Sequence, residues 1–299
     1  MTRRLIVLES DQHGGHKLGL LNPATTLIDE DEEGNLVEWQ PQLTAFQQYV
    51  WTLQSKAIES IKRLAGNDPV IILSAGDATH GNKHPQQLVS TRLSDQVIIA
   101  VNNAKPWYDA GLNLEAVRIV KGTAAHNLTE GATEILLTEQ LRALYPGVDT
   151  KCLYHSLLVI EDTFGIDYAH HGAGPGIRDW TRENVLRLYL RDLIIKEVKS
   201  FRVPPQIVAR GHYHTYRHVI EEDTINGQRM EFHALLLPSM CGLGEHSRQV
   251  TRSADHVTNG VIVLELHDDK LSRIIPMINT VDIRTKEYIG GNHQRNLHG

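Results

Sequence analysis

Seventeen histidines stand in 299 residues, and their positions carry more information than their number. Asp11 and His13 are two apart, as are His212 and His214. Asp77 follows Gly76, His126 closes a loop that opens at Gly122, and His170 and His171 are adjacent. Carboxylate and imidazole together are donors for Mn, Fe, Ni or Zn, whereas Mg and Ca prefer all-oxygen shells. In extended chain, residues i and i+2 point to one side. Asp11 with His13, and His212 with His214, are therefore each expected to reach one ion together if the chain stays extended.

These residues close apolar runs. "LIVL" (5–8), "VIILSA" (70–75), "EAVRIVKG" (115–122), "FGIDYAHHG" (164–172) and "QIVARGHYH" (206–214) all read as strands, and each is followed by or ends in Asp or His. Asp77 alone reads equally well as a helix cap or a turn residue. A lone histidine is as readily a satisfied core group. Five strand ends delivering such residues independently is much harder to explain that way, so Asp77 is read as a metal ligand whose charge cations balance.

Between the strands, "PQLTAFQQYVWTLQSKAIESIKRLAG" has helical spacing with Gly66 as its stop. Residues 85–112 read as a helical excursion starting at Pro85 and breaking near Pro106. "TEGATEILLTEQLRALYP" reads as a helix, and 179–200 as an amphipathic helix capped by Asp179 or Thr181. The acidic "LIDEDEEGNL" reads as a solvated loop. "LYHSLLVIED" pairs with the strand at 164–172, and "RMEFHALLLPS" and "GVIVLEL" read as antiparallel strands. Residues 289–299 read as a polar tail. The order is an α/β beginning with an antiparallel finish, without repeats or a Ser- or Pro-rich linker, so one domain over 1–299 is expected.

A formal charge of −6 and an apolar fraction of 41% are ordinary and exclude a globally basic nucleic-acid binder. Cys152 and Cys241 make neither a disulfide framework nor a CxxC zinc pair, so a reducing, cytoplasmic setting is expected. No segment reaches the ~20 apolar residues of a membrane span, and no membrane partner is expected. The apolar stretch behind Arg3 and Arg4 is too short for a signal peptide.

Asp11-x-His13, Gly76-Asp77, a glycine-led loop with His126, His170-His171 and Gly211-His212-x-His214, in this order over about residues 5–215, resemble the calcineurin-like metallophosphoesterase family. "SDQHGGHKLGLLNP" and "GTAAH" are similar to phage-encoded members. The resemblance implies a four-layered α/β sandwich, two mixed β-sheets flanked by helices, around two divalent transition-metal ions, Mn first, with Fe, Zn or Ni as alternatives. It implies Asp11, His13 and His214 on the first ion, Asp77 bridging, and His170 and His212 on the second, with His171 as the alternate to His170. The family usually carries Gly-Asn-His-Asp/Glu in the third loop, where the Asn is a ligand and the His contacts the leaving group. Here Gly122 is followed by Thr123, Ala124, Ala125, His126 and Asn127. Thr123, Asn127 or water could replace the missing ligand, or His126 could turn ligand itself; as a general acid His126 would protonate the leaving oxygen.

The expected activity is phosphate-ester hydrolysis by attack of a metal-bound hydroxide, with a lean to phosphodiesters, nucleic acid included. Phosphomonoesters and phosphoproteins are the alternatives, and a non-catalytic binding module on the same fold is the rival of another class. His16, His80, Asn82 and Arg210 neighbour the motifs as candidate phosphate contacts, though Arg210 could simply pair with an acidic neighbour.

Overall fold

The computed structural model describes residues 2–124, 126, 132–176, 181–225, 227–244 and 255–287. The chain runs β1 (Arg3–Glu9), β2 (Leu27–Glu30), β3 (Leu36–Trp39), α1 (Ala45–Ala65), β4 (Pro69–Ser74), a 3-10 turn (Pro85–Gln87), α2 (Leu93–Asp109), β5 (Asn113–Val120) and α3 (Ala132–Leu144). It continues with β6 (Asp149–Leu153), β7 (His155–Ile160), β8 (Phe164–Ala169), α4 (Arg182–Lys199), β9 (Ile207–Arg210), β10 (Arg217–Ile225), β11 (Gln228–Leu236), β12 (His256–His267) and β13 (Lys270–Asp282).

Two mixed sheets result, ordered β13-β12-β1-β4-β5-β6 and β10-β11-β9-β8-β7. Alternation along β1 divides the core. Leu5 and Val7 pack with Val50, Ile58 and Ile61 of α1, while Ile6 and Leu8 pack with Ile166, Ile207 and Leu235 of the second sheet. The far face of that sheet, through Val208, Phe232 and Ala234, meets Leu186, Leu190 and Ile194 of α4. This is an α/β architecture of mixed sheets flanked by helices. β1, β4 and β5 lie parallel and adjacent, as do β8 and β9, so each set opens its carboxyl ends at one sheet edge.

Several elements differ from the sequence reading. The acidic "LIDEDEEGNL" is the hairpin β2–β3, anchored by buried Leu27. Residues 85–87 form only a 3-10 turn; α2 starts at Leu93 and runs through Pro106. Proline removes the N–H that would bond the Asn102 carbonyl. That carbonyl accepts from Asn22 Nδ2 at 2.7 Å instead, so the helix continues. β11 and β12 are antiparallel strands as read, but of different sheets: β11 pairs antiparallel with β10, and β12 with β1 and β13. β6, β10 and β13 have no counterpart in the sequence reading. Thr181 stands at the N-cap of α4 without a side-chain cap bond; Asp179 and the tail at 289–299 lie outside the described residues. Among the described residues no helix is long and apolar enough to cross a membrane. Cys152 and Cys241 are free thiols.

In the second sheet, His233 of β11 has its Nδ1 2.9 Å from His218 Nε2 on β10. Burial, then the neighbouring His218, pushes its pKa from 6.5 down to about 4. Half-exposed Glu231, 3.0 Å away, offsets little of this. A histidine kept neutral in the fold contributes stability that is present above its unfolded pKa and lost as pH falls toward the folded value. Stability is therefore expected to fall between about pH 6.5 and 4, and more gently in His233→Gln. Denaturant midpoints of both proteins across that range check this; parallel pH profiles would contradict it.

Candidate metal centre

The loops after β1 and β4 stay zipped beyond the strands. The N–H groups of Asp11, His13 and Gly14 donate to the carbonyls of Gly76, Asp77 and Ala78, and His80 N–H returns to Gly14 O. These loops are not extended. Asp11, His13 and Asp77 have φ of 54°, 47° and 53°, and His212 and His214 have 75° and 50°. Left-handed backbone costs a non-glycine residue roughly 1–2 kcal/mol, and such outliers cluster at functional sites. The expected i, i+2 alternation is thus absent: left-handed turns aim these side chains. The His212 and His214 rings accordingly enter different groups rather than serving one ion.

Four sets of donors converge, each with its ligand atoms within 4.8 Å of one another: Asp11, His13 and His214; Asp11, Asp77 and His170; His170, His171 and His212; and His13, His80 and His126. Asp11 is wholly buried. Its Oδ2 accepts from Ser10 Oγ and from His212 N–H. Its Oδ1 is buried without a hydrogen bond among the described residues, although His214 Nε2 lies 3.3 Å and His13 Nε2 3.7 Å away. Asp77 is 1% exposed. Its Oδ1 accepts from Thr123 N–H at 2.6 Å, and its Oδ2 lies 3.2 Å from Thr123 Oγ1 and 3.1 Å from His170 Nε2. A β-carbon on Gly122 would overlap Asp77 Oδ1, so the third loop comes this close only because that residue is glycine.

Thr123 Oγ1 also stands 3.0 Å from His170 Nε2 and 3.4 Å from His212 Nδ1, between the Asp77 set and the set of His170, His171 and His212. Asn127 lies outside the described residues. His170 Nδ1 donates to Ala75 O at 2.7 Å, which turns Nε2 toward Asp77. The same holds for His126: Nδ1 donates to His80 O at 2.6 Å, and Nε2 stands 3.9 Å from Asp77 Oδ2. A backbone carbonyl behind the ring is the usual support of a ligating imidazole. His171, exposed, stacks edge-on against both His170 and His212.

The other neighbours separate. His16 Nδ1 accepts from Leu18 N–H and Nε2 donates to Gln87 Oε1, so neither nitrogen is left for a ligand. Arg210 is turned away from the histidines. It is 1% exposed, paired with Asp167 at 2.5 Å and bonded to Tyr189 Oη at 2.8 Å, which is the acidic-neighbour reading of its sequence position. Asn82 is exposed, its Oδ1 3.5 Å from Gln96 Nε2. His80, by contrast, lies among the donors, its Nδ1 3.2 Å from His13 Nδ1.

Electrostatics follow the burial. Burial alone would raise the Asp77 carboxyl, but the His170 charge and hydrogen bond outweigh it and hold the pKa at about 2. Burial would lower His170; Asp77 reverses this and lifts it to about 9. Asp11 is likewise held well below its ordinary value against burial, chiefly by His214. Burial pushes His13 and His212 down to about 4, and lowers His80 as well. The centre thus holds two carboxylates, an imidazolium at His170 and neutral imidazoles at His13, His80 and His212.

The residues fit a divalent transition ion. Nitrogens sharing one tetrahedral ion at about 2.0–2.1 Å stand about 3.3 Å apart. His13 Nε2 and His214 Nε2 are 3.1 Å apart, and Asp11 Oδ1 and His214 Nδ1 are buried without hydrogen-bond partners among the described residues. Sequence reasoning missed Glu134 of α3. It is fully buried near Asp77, accepts from Thr133 Oγ1, and is raised to about 7 by burial and then by Asp77. Its signal was a carboxylate on the helix face of Leu137 and Leu141.

No protein-family profile matches the chain, and no curated protein does. Among solved structures, a crystal structure of TT1561 of Thermus thermophilus is similar at 10% identity, covering 95% of this chain and 100% of that one, with a TM-score of 0.35. At that score the likeness carries no argument about activity.

An ion binding beside Asp77 must displace the His170 proton, which is held below about pH 9. Mn²⁺ affinity is therefore expected to rise by on the order of tenfold per pH unit up to that value, with about one proton released per ion. Calorimetry in buffers of different ionisation enthalpy checks both; a pH-independent affinity would contradict the assignment.

Proposed function

We propose that this chain is a metal-dependent phosphoesterase of the calcineurin-like type, acting on phosphate esters with phosphodiesters as the leading class. What supports the reading is that two donor sets meet on Asp11 and Asp77 where the carboxyl ends of strands from both sheets converge. Asp11, His13 and His214 would hold one divalent ion, and His170 and His212 a second, with Asp77 between them. Two such ions, Mn²⁺ first, would when bound supply Lewis acidity to a phosphoryl oxygen and lower the pKa of water toward neutrality.

The chain's own groups do the rest. Asp11 and Asp77 stay ionised, so the centre has negative charge to set against two cations. Thr123 stands where the family carries Asn; its hydroxyl and N–H fix both oxygens of Asp77. His126 has two roles open to it. As an acid it would need a second proton on Nε2, because its Nδ1–H is already committed to His80 O. That hydrogen bond favours the ligand role over the acid role expected from sequence. The altered third loop also differs from the protein-phosphatase pattern, which supports the lean to diesters.

The test is turnover of bis(4-nitrophenyl) phosphate against 4-nitrophenyl phosphate by the Mn²⁺-loaded protein. Hydrolysis favouring the diester is expected, removed by a chelator and restored by Mn²⁺ better than by Ca²⁺. Asp77→Asn should lower kcat/KM by roughly 10²-fold or more, at tenfold per 1.36 kcal/mol of barrier, while circular dichroism stays native. No turnover of either ester by protein with measured bound metal would make the chain a binding module instead.

A further inference from the structure

The fourth donor set, like the third, contains no carboxylate, although His126 Nε2 stands 3.9 Å from Asp77 Oδ2. His13, His80 and His126 come from the loops after β1, β4 and β5, and their donor atoms lie within 4.8 Å of one another. His13 Nδ1 and His80 Nδ1 are 3.2 Å apart, close to the roughly 3.3 Å edge between two nitrogens on one tetrahedral zinc. The His80 loop is built rather than loose. Buried Gln96 of α2 accepts from His80 N–H and Gly81 N–H through Oε1, and donates to the carbonyls of Gly81 and Ser90 through Nε2. His126 is oriented by the same loop, through its Nδ1–H to His80 O.

We propose that His13, His80 and His126 form an imidazole-only site selective for a borderline cation such as Zn²⁺ over Mn²⁺. Neutral imidazole suits Zn²⁺, whereas Mn²⁺ favours sites with carboxylate oxygens. His13 presents Nδ1 to this site and Nε2 to His214 and Asp11. A neutral ring has one lone pair, so an ion at His80 draws His13 away from the Asp11 set. Zn²⁺ at His80 thereby competes with Mn²⁺ beside Asp11.

The inference rests on the metal-binding part of the proposed function, and its test reads binding rather than turnover. Zn²⁺ and Mn²⁺ bound per full-length chain are counted by equilibrium dialysis for the wild type, His80→Ala and Asp77→Asn. Dialysed against both ions together, with Mn²⁺ in large excess so that it fills the Asp11 site once His13 is released, His80→Ala is expected to lose one equivalent of Zn²⁺ and no Mn²⁺; its retained Mn²⁺ also shows that it is folded. Should the alanine variant not fold, His80→Asn, without an imidazole, is counted the same way. An unchanged Zn²⁺ count, or equal loss of both ions, overturns the proposal. If His80→Ala is silent while Asp77→Asn loses Mn²⁺, the imidazole site falls and the phosphoesterase reading stands. If the wild type binds neither ion, both fall.

Discussion

A carboxylate as deeply buried as Asp77 must be neutralised where it sits, because an uncompensated buried charge costs several kcal/mol. In this chain the first compensation is His170, whose imidazolium lies 3.1 Å from Asp77 Oδ2. Thr123 N–H on the other oxygen is the second. The pair joins the two sheets: Asp77 follows β4 of the first, His170 follows β8 of the second, and His170 Nδ1 also bonds Ala75 O. A proton held this way is what a bound cation would replace, so the contact that serves the fold also lies where an ion could be held.

The backbone around this contact is organised to bring groups together at a local cost. Five of the donor residues sit in the left-handed region, and Gly122 gives the third loop its close approach to Asp77. The strain is held by the ladder-like bonds between the β1 and β4 loops and by Gln96, which clamps the His80 turn from behind. Glu134 is buried behind Asp77 on α3, and Thr79 Oγ1 lies 2.9 Å from Thr133 Oγ1 and 3.2 Å from His126 O, so this helix reaches the same loops. Helices, sheets and loops thus converge on few side chains, which is what a rigid donor set requires.

Apolar periodicity made β1, β4, β5, β8 and β9 legible, and with them the clustering of Asp and His at their ends, because burial on both faces leaves little choice of residue. β6, β10 and β13 were not legible. Their residues are mixed, and each is a strand because of the neighbour it pairs with. Arg210 looked like a phosphate contact because it precedes His212, but its partner Asp167 lies 43 residues away in sequence and no local pattern reveals it. His16 and His80 looked alike in sequence. Both ring nitrogens of His16 are used by Leu18 and Gln87, whereas His80 meets His13, a distinction set by tertiary hydrogen bonds. The i, i+2 argument assembled Asp11 and His13 for the wrong reason: the residues meet, but through left-handed turns.

The central claim is that divalent ions sit on the carboxylates of Asp11 and Asp77. Anomalous scattering from crystals of the full chain grown with Mn²⁺, recorded at the manganese edge, tests it most directly. The account predicts peaks within ligand distance, about 2.0–2.4 Å, of Asp11 Oδ1 and of an Asp77 oxygen, with His13 or His214 and His170 or His212 completing the shells. Well-ordered crystals without anomalous density at either carboxylate, at saturating Mn²⁺ and a pH near 8, would contradict it.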